Sequence, residues 1–328
     1  MENRTGRAKL HPARSPAVPW AVMRANRKST ARHLAGLALR GFAIGTADLV
    51  PGVSGGTVAL VTGIYGRLVR AIGRGALGLG RLLRGDFRGS ARSLRGVEWP
   101  FVISIVAGAG LAVAVLAGVV ENLLREQPVR TAAVFFGLIG GAIVVAWWLL
   151  REPAVAHAIA AGAVGAVSFV LFGFRGAAVH DPDWYVFVGA GALAICAFIL
   201  PGVSGSFLLL AIGMYQHVLG AISDLVPGSL LPFALGAATG LGLFARLLEW
   251  LLDRYHDLVV AAMIGLMIGS FRILWPWPAG LGDESGVGAT TLGRPGPDVL
   301  VPVALAIASA ILVVGFASWA ERSEAGNR

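Results

Sequence analysis

Charge is scarce in this chain: Asp, Glu, Lys and Arg together make up 14% of its 328 residues, where a soluble domain carries about a quarter. That shortage excludes an ordinary water-facing surface over most of the length. Cysteine is almost missing, and the one residue present, Cys196, lies inside an apolar run. An intramolecular disulfide is therefore excluded and a thiolate metal site is not expected. The histidines beyond residue 32 (His33, His157, His180, His217 and His256) have no ligand spacing to one another or to Cys196. No metal or cofactor is expected. A lipid phosphatase would need a nucleophilic histidine with a paired His or Asp and a basic cluster. No such constellation stands out, so no catalytic residue is assigned and an enzyme is not the expected class.

What the chain has instead is apolar length. Hydrophobic residues make up 56% and the mean hydropathy is +0.75. Pro100 to Val120, Ala132 to Leu150, Pro153 to Phe174 and Val299 to Ala320 each reach the roughly 20 residues that a membrane-spanning helix needs. Glycine is abundant at 46, which suits close helix packing in lipid. The composition specifies an all-α integral membrane protein in the cell membrane.

The basic residues are unevenly placed, with 17 of 27 Lys/Arg before Glu98. Residues 1–32 hold eight of them and no apolar core, so they read as a basic cytoplasmic tail rather than a signal peptide. Residues 67–95 alternate leucine with arginine and read as an interfacial segment lying on anionic lipid. Membrane topology explains the basic pI, near 10.9, without nucleic acid as a partner.

Two segments differ from plain spans. Leu34 to Gly66 is interrupted at Pro51-Gly52-Val53-Ser54-Gly55, and Trp184 to Ile222 at Pro201-Gly202-Val203-Ser204-Gly205. From Pro51 to Tyr65 and from Pro201 to Tyr215, eight of fifteen positions are identical. Pro100-Phe101 with Gly108 and Gly110 then matches Pro232-Phe233 with Gly240 and Gly242, and Gly137-Leu138 matches Gly265-Leu266. An ordered series of landmarks is an internal duplication. The first repeat covers 33–174 (hairpin 34–66, basic segment 67–95, three spans), the second 184–320 (hairpin 184–222, three spans), and 321–328 is a short tail. Three spans per copy is odd, so the copies enter the membrane from opposite faces as inverted repeats.

Pro-Gly-Val-Ser-Gly begins a half-helix whose first N–H groups have no helical partner. In hydrocarbon they must be met by water, a carbonyl or an anion. Helix starts with small residues hold phosphate or carboxylate well. The candidate anion-binding residues are Gly52, Ser54, Gly55, Gly56 and Thr57 in one copy, and Gly202, Ser204, Gly205 and Ser206 in the other. Bent helices with serines bonding backward are the structural alternative. Arg246, inside a span and three residues before Glu249, either pairs with that acid or meets the anion. Asp48 precedes the first break and suits coupling, gating or amide capping, and Glu249 shares the first two roles. Arg40 and Arg272 lie near span ends, where they reach lipid headgroups.

Ala47 to Thr57 with Gly63-Ile64-Tyr65, Leu200 to Phe207 with Gly213-Met214-Tyr215, and Phe135 to Leu138 between them resemble the signatures of bacterial and archaeal polyprenyl-phosphate transporters. These were long catalogued as a domain of unknown function. The resemblance spans Arg40 to Trp277 and departs at the basic tail and the arginine-rich segment. It implies return of undecaprenyl phosphate from the outer to the inner leaflet for cell-wall precursor synthesis. A small-anion transporter or channel using the same broken helices is the alternative, since chloride or a carboxylate would suit the same donors.

With the N-terminus inside, the cytoplasmic segments carry 20 Lys/Arg and the outer loops four. Both termini should therefore be cytoplasmic. In a Cys196→Ala background, single cysteines near Gln127 and Gly286 should react with an impermeant thiol reagent from outside. Labelling of either terminus from outside would overturn the count.

Overall fold

The computed structural model describes residues 20–49, 53–175, 179–281 and 288–325. Thirteen helices dominate it: α1 (Trp20–Asp48), α2 (Gly55–Val61), α3 (Tyr65–Leu83), α4 (Phe87–Arg95), α5 (Trp99–Glu126), α6 (Pro128–Trp148), α7 (Val155–Leu171), α8 (Trp184–Ile199), α9 (Gly205–Ala211), α10 (Tyr215–Ser223), α11 (Pro227–Arg254), α12 (His256–Ser270) and α13 (Leu300–Ala325). The first helix begins at Trp20, within the stretch read as a tail. Where only helix was expected there are also three short strands, β1 (Phe174–Arg175), β2 (Pro278–Leu281) and β3 (Gly288–Leu292). They form an antiparallel sheet in the order β1-β3-β2. Joining two loops gives their backbone groups partners that a lone loop lacks.

Among the described residues, four helices are long and apolar enough to cross a membrane: α5, α6, α11 and residues 300–318 of α13. The expected spans α7 and α12 have 17 and 15 residues, and α12 is prolonged by turns through Leu274. Arginines on α3 hold the basic segment as a helical pair, which turns at Gly85 with φ +77°. Arg81 donates to Ser93 Oγ at 2.8 Å and Arg74 to the Gly96 carbonyl at 2.9 Å.

The helices pack in four close pairs, α1 on α5, α8 on α11, α6 on α13 and α7 on α12. Each contact runs through small residues. A Cβ added at Gly45 would lie 2.5 Å from the Ala109 carbonyl oxygen, at Gly240 2.7 Å from Ala192 Cα, at Gly141 2.7 Å from the Ala310 oxygen, and at Gly265 2.7 Å from the Ala161 oxygen. Lipid tails compete equally for apolar side chains, so association here depends on such close van der Waals approach. Corresponding glycines take corresponding places: Gly137 abuts Ala306 of α13, whereas Gly265 abuts Ala161 of α7.

The ends of the helices meet in two groups. The α5–α6 turn lies beside the start of α13, sharing a cavity with Asp298 and Pro302. At the opposite end, Gly63 and Tyr65 lie beside Leu149, Arg151, Asp253 and His256, and Arg67 Nε donates to Glu98 at 2.8 Å just before α5. This partner holds the Glu98 carboxyl below its usual range. Since α5 starts and α11 finishes at this end, the two run in opposite directions. Helices α2 and α9 have seven residues each, about 10 Å of helix, so neither crosses a membrane. Between α9 and α10 the chain bends by 117°. Asp181 and Asp224, which flank the second hairpin, line one cavity, so the chain leaves that hairpin where it entered.

Replacing Gly141 with Ile should separate α6 from α13. Overpacking a close contact costs typically 1–3 kcal/mol, and thermal unfolding of the purified protein in detergent should report it. Gly118→Ile, where an added Cβ meets open space, should leave the transition in place.

Candidate functional site

Helices α2 and α9 are built alike. Each opens on a serine cap in extended conformation, Ser54 and Ser204. Ser54 Oγ accepts from Gly56 N at 3.2 Å, and Ser204 Oγ accepts from Phe207 N at 3.5 Å. Each closes on a left-handed glycine, Gly63 at φ +72° and Gly213 at +74°. The following amide bonds back five residues, Ile64 N to the Ala59 oxygen at 3.0 Å and Met214 N to the Leu209 oxygen at 2.9 Å. That is a Schellman end, which favours glycine at the turn. The repeated Ser and Gly landmarks thus mark the two ends of one short helix. Among the described residues, Ser54 Oγ donates across to the second break and Ser204 Oγ pairs with Ser206.

The two breaks touch. Ser54 Oγ donates to the Leu200 carbonyl at 3.0 Å, and Gly202 N donates to Thr57 Oγ1 at 3.0 Å. Tyr65 adds a third bond, its hydroxyl donating to the Ile199 carbonyl at 3.2 Å. Ser54, Thr57 and Ser204 are buried, and Ser204 Oγ lies 2.9 Å from Ser206 Oγ. Gly202 is left-handed at φ +82°, and a Cβ there would come 2.5 Å from Met267 N of α12. A Cβ at Gly56 would come 2.6 Å from the Ile199 oxygen. Gly52 lies outside the described residues.

The breaks differ in one respect. Asp48 Oδ1 accepts from Gly55 N at 2.6 Å, so the acid caps the amide. In the second copy Phe198 takes that place and packs against Gly205. The Gly205 and Ser206 amides have no hydrogen-bond partner among the described residues. An anion would thus meet more open donors at the second break.

The other candidates lie apart from the breaks. Arg246 is exposed on α11 and makes no ion pair with Glu249 among the described residues. Glu249 is half-buried and lines the cavity beside Tyr65. Arg40 is half-buried on α1. Arg272 follows α12 and lies over the Phe169 ring, 5.3 Å from its centroid.

Two cavities adjoin the first break. One of about 400 Å³ is almost wholly apolar, with Val53 and Thr57 at the break and Phe42, Phe135, Leu312 and Phe316 around it. Leu312 and Phe316 are exposed on α13, so the cavity opens to the side. The other, about 260 Å³, gathers Tyr65, Arg70, Arg151, Glu249, Asp253 and His256. Sequence reading did not find this cluster. Its local sign was the run Glu249, Asp253 and His256 at helical spacing, whereas Tyr65 with Arg70, and Arg151, come from two distant segments.

Comparison with known proteins places these features in a family. Residues 44–286 match the family described as undecaprenyl phosphate translocase-like. A polyprenyl-phosphate transporter of Vibrio cholerae is 35% identical over 305 residues, covering 87% of this chain and 96% of that protein. A polyprenyl-phosphate transporter of Staphylococcus aureus is 31% identical over 261 residues, covering 73% and 85%. No solved structure matches.

Thr57→Val removes the acceptor of a buried amide, which should cost about 1–3 kcal/mol, and Thr57→Ser should restore most of it in thermal unfolding. Gly202→Val combines a disfavoured φ with a backbone clash and should abolish transport activity.

Proposed function

We propose, since the chain belongs to the undecaprenyl phosphate translocase-like family, that it carries polyprenyl phosphate, undecaprenyl phosphate above all, across the cell membrane. The direction we assign is outer to inner leaflet, returning the lipid for cell-wall precursor synthesis. The chain acts as a carrier and needs no catalytic residue.

The opposite run of α5 and α11, with partner exchange between Gly137 and Gly265, supports two inverted repeats, 33–174 and 184–320. The bias in Lys/Arg supports cytoplasmic termini, and it favours an inner-surface position for residues 67–95, beside anionic lipids. In this reading Gly52, Ser54, Gly55, Gly56 and Thr57 face Gly202, Ser204, Gly205 and Ser206 around the headgroup. Substrate phosphate replaces the carbonyls that now accept from the breaks. Asp48 responds to that exchange, since an anion at Gly55 displaces or repels its carboxylate, and Glu249 takes the same part at the inner end. Arg246, exposed on α11, together with Arg40 and Arg272, meets headgroups at the surface.

The apolar cavity carries the choice between a lipid and a small anion. A chloride carrier has no use for about 400 Å³ of apolar space opening sideways from the polar breaks. A prenyl phosphate needs both parts. Its headgroup must shed water and find donors, because an uncompensated charge in hydrocarbon is very costly. Its tail remains in lipid and fills the cavity beside Thr57.

Purified protein in liposomes should speed the crossing of lipid phosphate, read leaflet by leaflet, well beyond that of neutral prenol. Equal rates for both, or chloride flux without lipid movement, would decide for the small-anion reading. Narrowing the cavity with Ala142→Phe should slow lipid phosphate while the protein stays folded.

A further inference from the structure

Resting on the carrier reading above, we infer that the cavity where α3, α6, α11 and α12 meet binds a phosphate monoester, holding a headgroup that has left the breaks. Under the proposed orientation this is the cytoplasmic end. Helix α3 carries Arg67, Arg70, Arg74 and Arg81. Arg67 is paired with Glu98, Arg74 with the Gly96 carbonyl, and Arg81 with Ser93 and the Gly89 carbonyl. Arg70 lines the cavity and has no ion pair or side-chain hydrogen bond among the described residues. The guanidinium of Arg151, on the α6–α7 loop, is likewise uncommitted there.

A single carboxylate organises the opposite rim. Asp257 accepts from Arg151 N at 3.0 Å, from Glu152 N at 2.9 Å and from His256 Nδ1 at 2.9 Å. It thereby fixes both the loop that bears Arg151 and the imidazole of His256. With Nδ1 donating to the carboxylate, Nε2 is left to accept or, once protonated, to donate. Two guanidinium groups and an imidazole are a donor set for a tetrahedral oxyanion, and arginine forks suit phosphate by their geometry.

Glu249 and Asp253 line the same cavity from α11 and oppose an anion. They make the site one of near-balanced charge, and so a site from which a headgroup can leave. The volume, about 260 Å³, equals roughly nine waters' share of the liquid. It accommodates a phosphate with some water and excludes a long prenyl chain, which stays in lipid. Tyr65 joins the site to the breaks, lining this cavity while its hydroxyl holds the Ile199 carbonyl.

The test is equilibrium binding to the purified full-length chain in detergent, with three probes: a short-chain prenyl monophosphate, inorganic phosphate and the neutral prenol. Arg70→Gln and Arg151→Gln should each weaken the prenyl phosphate about tenfold, the size of one hydrogen bond to a charged group, and the lysine variants should recover part of the loss. Glu249→Gln with Asp253→Asn should tighten it, a gain that misfolding cannot imitate. Inorganic phosphate with the same arginine dependence identifies the phosphate alone as the ligand. Binding confined to the prenyl phosphate identifies the lipid. Unchanged affinity for both phosphate probes in folded Arg70→Gln, Arg151→Gln protein overturns the site. Liposome flux separates this from the carrier reading: arginine-dependent binding without lipid movement would defeat the carrier and leave the phosphate site.

Discussion

Two interrupted helices at membrane depth must find partners for their free backbone groups, and in this protein they find them in each other. Ser54 reaches the Leu200 carbonyl, Thr57 takes the Gly202 amide, and Tyr65 holds the Ile199 carbonyl. Backbone groups left without partners in hydrocarbon would cost several kcal/mol each. The surrounding architecture serves that junction. Four helix pairs pack through small residues closely enough to hold the hairpins in place. Left-handed glycines then turn each seven-residue limb back before it can cross.

The same bonds make the junction a candidate for moving charge. An acceptor that satisfies an amide or hydroxyl can be exchanged for another, and a phosphate oxygen is a stronger acceptor than a carbonyl. The Ser54 and Tyr65 hydroxyls and the Gly202 amide are already engaged across the junction, so opening these bonds exchanges partners rather than baring polar groups. Asp48 and Phe198, at corresponding places, make the exchange unequal: one break carries its own anion, and the other presents two amides open among the described residues.

Much of this was legible in the sequence because it rests on local chemistry. Serine caps, closing glycines and apolar runs each report a local backbone state, and their recurrence 150 residues apart exposed the duplication. Which sides of the helices would meet was not legible. The pairing of α6 with α13 and of α7 with α12 depends on contacts between distant segments. For the same reason the sequence showed neither the apolar cavity at α13 nor the gathering of Arg70, Arg151 and His256. Arg246 illustrates the limit. Its spacing from Glu249 permitted a pair, but the helix turns it outward while Glu249 faces α3. Strands β1 to β3 were not legible because they are short, and β1 lies more than 100 residues before its partner β3.

The central claim is that the junction opens to pass an anionic headgroup, and Ser54 reports it most directly because it is only 2% exposed in this structure. A single cysteine at Ser54, in a Cys196→Ala background that still transports, can be challenged with an impermeant thiol reagent from each side of sealed vesicles in turn. The account predicts slow labelling from both sides, suppressed by lipid phosphate and unaffected by neutral prenol. Continued transport with no labelling from either side would contradict it.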